Sequence, residues 1–554
     1  MLFAQSEIRL DTNLVDYAIL VIYFVAVLGI GFAAKRYIKT SLDYFLSGRS
    51  LPAWITGLAF ISANLGALEI LGMAANGAQF GVYTVHYYWV GAVPAMVFLG
   101  IVMMPFYYGS KVRSVPEYLR LRFNKQTHLF NALTFAFATV LIAGVNLYAL
   151  ALVLKLMLGW PILLGIVVAA VVVLAYITLG GLSSAIYNEV LQFFVILAAL
   201  IPLTIIGLID VGGWDGLKEA VTKVNSEDEL FHSWKGTAPG NVDNPLGASW
   251  IPIVFGLGFV LSFGYWTTNF AEVQRALSAK NLSAAQRTPL IGAYPKIFIP
   301  AITIIPGLVA LAVIPGLGGD DPDKQYNNAI PLLMNEYLPN GMLGIALVGL
   351  LAAFMAGVAA NVSAFNTVVT YDLWEPYVKS GQSDEYYIRF GRIATVTGIV
   401  VGIGTALIAS GYNNIMDYIQ LLFSFFNAPL FATFIIGMFW KRMTPWAGLW
   451  GLVAGTVGAA VAHYGNSWDL IDLGSAQAAA FWGAIAAFVA DAVVSVIVSM
   501  FTQPKPIEEL QGLVHGMANE AEALSKEDQA WYRKPWLLAV GALGLTVLVS
   551  LFFL

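Results

Sequence analysis

Apolar runs of about twenty residues, divided by short polar stretches, recur along the whole chain. A helix needs about twenty mainly apolar residues to cross a bilayer, and this ruler predicts about fourteen spans. They fall near 14–34, 53–77, 82–106, 128–157, 161–179, 186–210, 250–271, 289–315, 341–370, 393–411, 414–439, 445–464, 476–501 and 535–554. The first run lacks a basic lead-in and a small-residue cleavage site, so it reads as a retained membrane helix. The charged segment from Lys505 to Lys534 reads as a surface helix or a solvated linker between the last two spans.

Two spans break the apolar pattern. The second reads Ser62-Ala63-Asn64-Leu65-Gly66-Ala67-Leu68-Glu69, followed by Gly72, Asn76 and Gly77. An acidic residue at mid-membrane costs about 2.5–3.5 kcal/mol on insertion scales. The neighbouring glycine lets the helix unwind, which is tolerated where the backbone lines a cavity. A small-residue helix contact with one polar pair is the competing reading. The seventh span repeats the abnormality with Gly256, Gly258, Ser262, Gly264, Tyr265, Trp266, Thr267, Thr268 and Asn269. Two interrupted helices, each opening a block of five spans, are the signature of an inverted-repeat transporter. Lys296 follows Pro295 in the eighth span and must be paired, face water or snorkel. Glu189, Gln192 and Gln420 also lie within spans, and Tyr87, Tyr88 and Trp89 lie near the expected break. Aromatic faces beside a few hydrogen-bonding groups suit a polyol.

Composition agrees with a membrane setting. The 554 residues are 59% hydrophobic and 11% charged, too few charges to coat a soluble surface of this size. The net charge of -5 gives no sign of nucleic-acid binding, and the absence of cysteine excludes disulfides and thiolate chemistry. With the amino terminus outside, about twenty-one of the 28 Lys and Arg fall on the cytoplasmic side. Both termini, the long loop near 211–249 and the loop at 318–323 are then extracytoplasmic. The expected organisation is a leading segment at 1–52, repeats at 53–210 and 250–439 divided by the 211–249 loop, and three further helices at 440–554 with a cytoplasmic loop near 502–534.

Several motifs now carry a resemblance. Asp43-Tyr44-Phe45-Leu46-Ser47-Gly48-Arg49-Ser50-Leu51-Pro52, Gly180-Gly181-Leu182-Ser183-Ser184, Gln274-Arg275-Ala276-Leu277-Ser278-Ala279-Lys280 and Phe439-Trp440-Lys441-Arg442 occur in this order. The chain resembles the sodium/solute symporter family, its sugar branch in particular. The resemblance implies an all-α membrane protein with a LeuT-type five-plus-five core, one helix before it and three after. It implies a substrate site at Asn64, Glu69, Tyr88, Ser262, Lys296 and Gln420. An outer lid would be formed by Met73, Tyr87 and Met416, and an inner gate by Tyr265. Sugar carriers have a Gln where Glu69 stands, a Glu and a Ser at Tyr88 and Gly91, and an Asn at Ser262. A sugar, inositol or related polyol is the expected solute.

The implied sodium ligands are carbonyls at Ser62, Leu65 and Ala353 and two adjacent hydroxyls in the ninth span, whose positions here are Ala356 and Gly357. The hydroxyl positions of a second site fall on Ala359 and Ala360, and its acid on Glu189. Sodium, a hard cation, takes oxygen ligands. Asn361 and Ser363 replace the missing oxygens if the register shifts; otherwise coupling uses a proton on Glu69 or Glu189, or is absent. The expected function is import of a small polar solute by alternating access, with sodium or a proton and the bilayer as partners. No obligate protein partner is evident. The expected setting is the cell (inner) membrane. An enzyme is disfavoured, since the five histidines form no His–carboxylate spacing within a span. A transporter-like sensor lacks the appended signalling domain such proteins carry.

Overall fold

The computed structural model describes residues 12–36, 38–110, 112–224, 228–515, 517 and 530–553. Among them eleven helices are long and apolar enough to span a bilayer, and two bent helix pairs bring the number to thirteen. The fifth expected span is the shorter apolar segment Ile162–Ala175. The loop expected between spans five and six is replaced by a direct junction at Gly181, whose φ of 54° and ψ of -152° joins the two helical segments within Ile162–Asp210. A Cβ there would stand 2.6 Å from the Tyr44 carbonyl oxygen, so close approach of the backbones also calls for glycine. The segment expected as a surface helix near 505–534 has short 3-10 turns at Ile507–Leu510 and Trp531–Arg533; residues 516 and 518–529 lie outside the described part.

Span starts are written locally. Asn124, Asn281, Ser383, Thr444 and Ser475 each accept a bond from the first turn of the helix that follows. Such caps satisfy amides that would otherwise stay unpaired. The loop near 211–249 is not structureless. It holds the helix Gly213–Val224 and a two-residue hairpin, Thr237–Ala238 with Asn241–Val242. It is tied to the third span by Tyr83 Oη donating to the Lys235 carbonyl (2.5 Å) and by His86 Nε2 and the Ser233 carbonyl (2.6 Å).

The two breaks fall where the polar residues predicted them. Ala53–Asn64 meets Leu68–Val85 at 59°, and Pro252–Thr268 meets Phe270–Leu277 at 49°. Leu65 leaves helical geometry with ψ of 45°, and Asn269 with ψ of 109°. Each gap has its own stopper. Asn146 Oδ1, from the long helix Lys125–Leu158, accepts the Ala67 amide (2.9 Å). Asn269 Oδ1 accepts the Ala271 amide (3.0 Å).

The helix after the first break packs against Leu282–Val313 almost backbone to backbone. A Cβ on Gly307 would lie 2.1 Å from the Ala74 carbonyl oxygen, and one on Gly77 2.4 Å from that of Ile304. Gly307→Ala is therefore expected to cost about 1–3 kcal/mol through overpacking. Gly404→Ala, which meets nothing within 4 Å, should leave stability equal or higher. Thermal unfolding of the purified protein in detergent checks the pair, and equal midpoints would contradict the packing.

Candidate solute site between the broken helices

All six expected substrate positions and all four expected gates line one cavity. Asn64, Glu69, Tyr88, Ser262, Lys296 and Gln420 share its wall with Met73, Tyr87, Met416 and Tyr265, and the space they outline, counted with its open part, is about 470 Å³. The break in span two supplies Asn64 and Glu69, and the helical stretch before the second break supplies Ser262 and Tyr265.

Lys296 organises the polar wall. It is buried, not snorkelled, with 2% of its surface exposed. Its ammonium donates to Asn64 Oδ1 (2.5 Å) and Glu69 Oε1 (2.6 Å). It also lies 4.9 Å from the Tyr88 ring centre and 5.2 Å from that of Trp266, within cation–π range. Asn64 Nδ2 in turn donates to Tyr265 Oη (3.0 Å), and Tyr265 donates to Glu272 Oε1 (2.7 Å). A continuous chain thus joins the cavity wall to the second broken helix. Gln420 contributes a different capacity. Its amide nitrogen contacts Met416 Sδ (3.8 Å), while its buried carbonyl oxygen has no partner. That free acceptor suits a solute hydroxyl. Gly91 makes room for Ser262, since a Cβ at Gly91 would lie closer than van der Waals contact to Ser262 Oγ.

The two ends of the cavity differ. Tyr265 closes one with Phe423 (ring centres 4.9 Å apart) and Trp266 (5.3 Å). At the other, Met73, Tyr87 and Met416 are backed by Asn76 and by Gln477, which the sequence reading missed. Tyr87 Oη donates to Gln477 Oε1 (2.7 Å), and Gln477 Nε2 donates to Asn76 Oδ1 (2.7 Å) and Asp417 Oδ1 (3.1 Å). Gln477 belongs to the thirteenth span, where its side chain is the one polar residue in an alanine-rich start. A buried amide amid small residues was the available signal. Trp266, from the abnormal stretch of span seven, joins Leu68, Ala92, Leu257, Leu261 and Phe423 in the apolar wall; the last five carried no signal beyond hydrophobicity.

The expected sodium position is changed in its chemistry. Ser62, Leu65, Ala353, Ala356 and Gly357 are all buried, with no hydroxyl at the last two. A Cβ at Gly66 would lie 3.5 Å from the Gly357 Cα and 2.6 Å from Asn146 Oδ1, so span nine faces the break and Asn146 fills the gap. Asn361 Nδ2 donates to the Gly357 carbonyl (2.9 Å), while Asn361 Oδ1 and the Ser62 and Ser363 hydroxyls are buried without partners. Glu189 lies elsewhere, with both carboxylate oxygens on Arg275.

A cavity lined by polar and aromatic side chains between two interrupted membrane helices fits a secondary transporter of LeuT-type fold. The solved structure of a Na+-coupled sialic acid symporter in a substrate-bound outward-open state superposes with a TM-score of 0.74 at 18% identity, covering 89% of this chain and 99% of that one. The chain belongs to the sodium:solute symporter family, whose model matches residues 44–455. It is a transporter, not an enzyme. It is 27% identical over 474 residues to a sodium/glucose cotransporter of Vibrio parahaemolyticus, covering 81% of this chain and 85% of that protein. It is 30% identical over 471 residues to sodium/myo-inositol cotransporter 2 of Homo sapiens, covering 79% and 68% respectively.

A buried ion pair loses most when one partner is removed. Lys296→Met and Glu69→Gln are each expected to cost about 3–5 kcal/mol, and the double substitution less than their sum. A thermal-unfolding double-mutant cycle reads this, and additive losses would contradict the pairing.

Proposed function

We propose that the chain imports a small polyhydroxylated solute, a sugar or cyclic polyol, by alternating access driven by a cation gradient. The observation that carries this reading is the cavity itself. Asn64, Glu69 and Lys296 form a fixed polar wall, Gln420 offers a free acceptor, and Tyr88 and Trp266 give aromatic faces for C–H surfaces. The glucose and myo-inositol relatives support the same solute class. Tyr265 acts as the inner gate and Met73, Tyr87 and Met416 as the outer lid. The helix beyond Asn269 leads to Ser278 and Lys280, which pair with Leu51 beside Arg49, on the basic face that the Lys and Arg bias assigns to the cytoplasm. Both termini then lie outside the inner membrane. Residues 53–210 and 250–439 form the two repeats, which rock against each other about the site.

Family membership supports sodium as the driving ion, held by the Ser62, Leu65 and Ala353 carbonyls with Asn361 or Ser363. A second reading, proton coupling, is favoured by one observation: the Asn146 carboxamide sits between Gly66 and Gly357, in the gap where span nine has lost its hydroxyls. Glu189 is committed to Arg275 and is the weaker choice for a second cation or proton site.

Purified protein in liposomes, offered labelled sugars and inositols under separate sodium and proton gradients, tests the reading. Gln420→Ala should raise the half-saturating concentration about five- to tenfold, the loss of one neutral hydrogen bond. Uptake unchanged on replacing sodium with choline would remove sodium coupling. Absence of saturable uptake for every polyol would remove the carrier reading.

A further inference from the structure

The charges buried beside the cavity do not balance. Three carboxylates and two cations are grouped there: Glu69, Glu189 and Glu272 against Lys296 and Arg275. Lys296 is spent on Glu69 and Asn64. Arg275 is spent on Glu189, the Ala271 carbonyl and Gln274. Glu272, 2% exposed, is left with the Tyr265 hydroxyl on Oε1 and nothing on Oε2. An ionised carboxyl taken out of water without a cation is strongly disfavoured, and the usual relief is to bind a proton. A sodium ion would want about six oxygens, whereas this spot offers a single free one.

Among the described residues the surroundings add no other cation acting on Glu272. The helices Ala53–Asn64 and Met342–Val368, which pack on the Glu272 helix, carry no titratable side chain. Leu282–Val313 brings Lys296, Ile162–Asp210 brings Glu189, and the same broken span brings Tyr265 and Arg275. Asp43, on Ser41–Leu46, is occupied by the backbone amides of Lys39 and Thr40. On Met104–Gly109, Tyr107 donates to the Thr267 carbonyl and Tyr108 to that of Ala279.

We propose that Glu272 is a proton-binding site built into the inner gate, so that solute crosses together with one proton. This rests on the carrier reading and takes its second form further. The ionised carboxylate holds Tyr265 by a charge-assisted bond, closing the inner end. A proton arriving from outside converts Oε2 from O⁻ to O–H, and the neutral acid holds the tyrosine less strongly. The gate opens inward, solute and proton leave to the cytoplasm, and the restored carboxylate latches Tyr265 again. One positive charge moves inward per solute.

Liposomes preloaded for an acid-outside gradient test the proposal. Wild type should accumulate solute in response to the gradient. Glu272→Gln should lose that accumulation at least about tenfold, while any solute exchange it retains no longer changes between acid and alkaline buffer. Glu272→Asp, which keeps a carboxyl, should keep a pH dependence and so separates lost protonation from misfolding. Accumulation by Glu272→Gln equal to wild type, or wild-type uptake indifferent to the gradient, would overturn the assignment. An independent reading needs no solute: in acid buffer wild type should show the infrared carbonyl stretch of a protonated carboxylic acid, fading as the buffer is made alkaline, and Glu272→Gln should lack it. If that band is lost while no polyol is carried by any variant, the proton site stands and the solute reading falls. If the band is unchanged, the proton site falls.

Discussion

The structure turns on a lysine that has been taken out of water. Lys296 lies between the interrupted second span and the seventh, and the groups in direct contact with its ammonium also line the cavity wall. Glu69 neutralises it, Asn64 accepts its second bond, and Tyr88 and Trp266 turn aromatic faces toward it. Removing water from an ammonium is costly, and the low dielectric that imposes this cost also strengthens its partners' hold. The broken helix follows from the same constraint. Unwound backbone at membrane depth persists only where polar partners replace the lost ladder, and Asn146 supplies one at Ala67.

Two separate polar groups stand at the two ends of the cavity. Toward the basic face one runs from Lys296 through Asn64 to Tyr265 and Glu272. Toward the other face, Tyr87 is tied through Gln477 to Asn76 and Asp417, so the helix Ala476–Phe501 backs that end of the cavity. Under the proposed function, movement of Tyr265 alters its bond with Asn64, which also holds Lys296. A solute that bonds differently in the two arrangements shifts their populations by that difference alone.

Much of this was legible in the residues. Asn64, Gly66 and Glu69 at mid-span marked the first break, and Ser262 to Asn269 the second, because polar and small residues there have no purpose in plain lipid. Composition and hydropathy placed the spans, and family resemblance assembled ten separate positions that the fold brings to one cavity. What stayed hidden depends on which way a side chain faces. Asn146 is one of three side-chain amides in the 34-residue helix Lys125–Leu158, and periodicity does not say that it meets Gly66 and Gly357. Glu272 fell just past the expected end of span seven and passed for a loop residue, whereas the bend at Asn269 turns it back under Tyr265. The pairing of Glu189 with Arg275, 86 positions apart, is likewise a property of tertiary packing.

The central claim is that this one cavity opens alternately to the two sides of the membrane. The chain has no cysteine, so single cysteines report without background. Ser262→Cys in the cavity wall should react with a membrane-impermeant maleimide from either side, in right-side-out and in inverted vesicles, and carried solute should slow both reactions. Labelling confined to one side under every solute and ion condition would contradict alternating access.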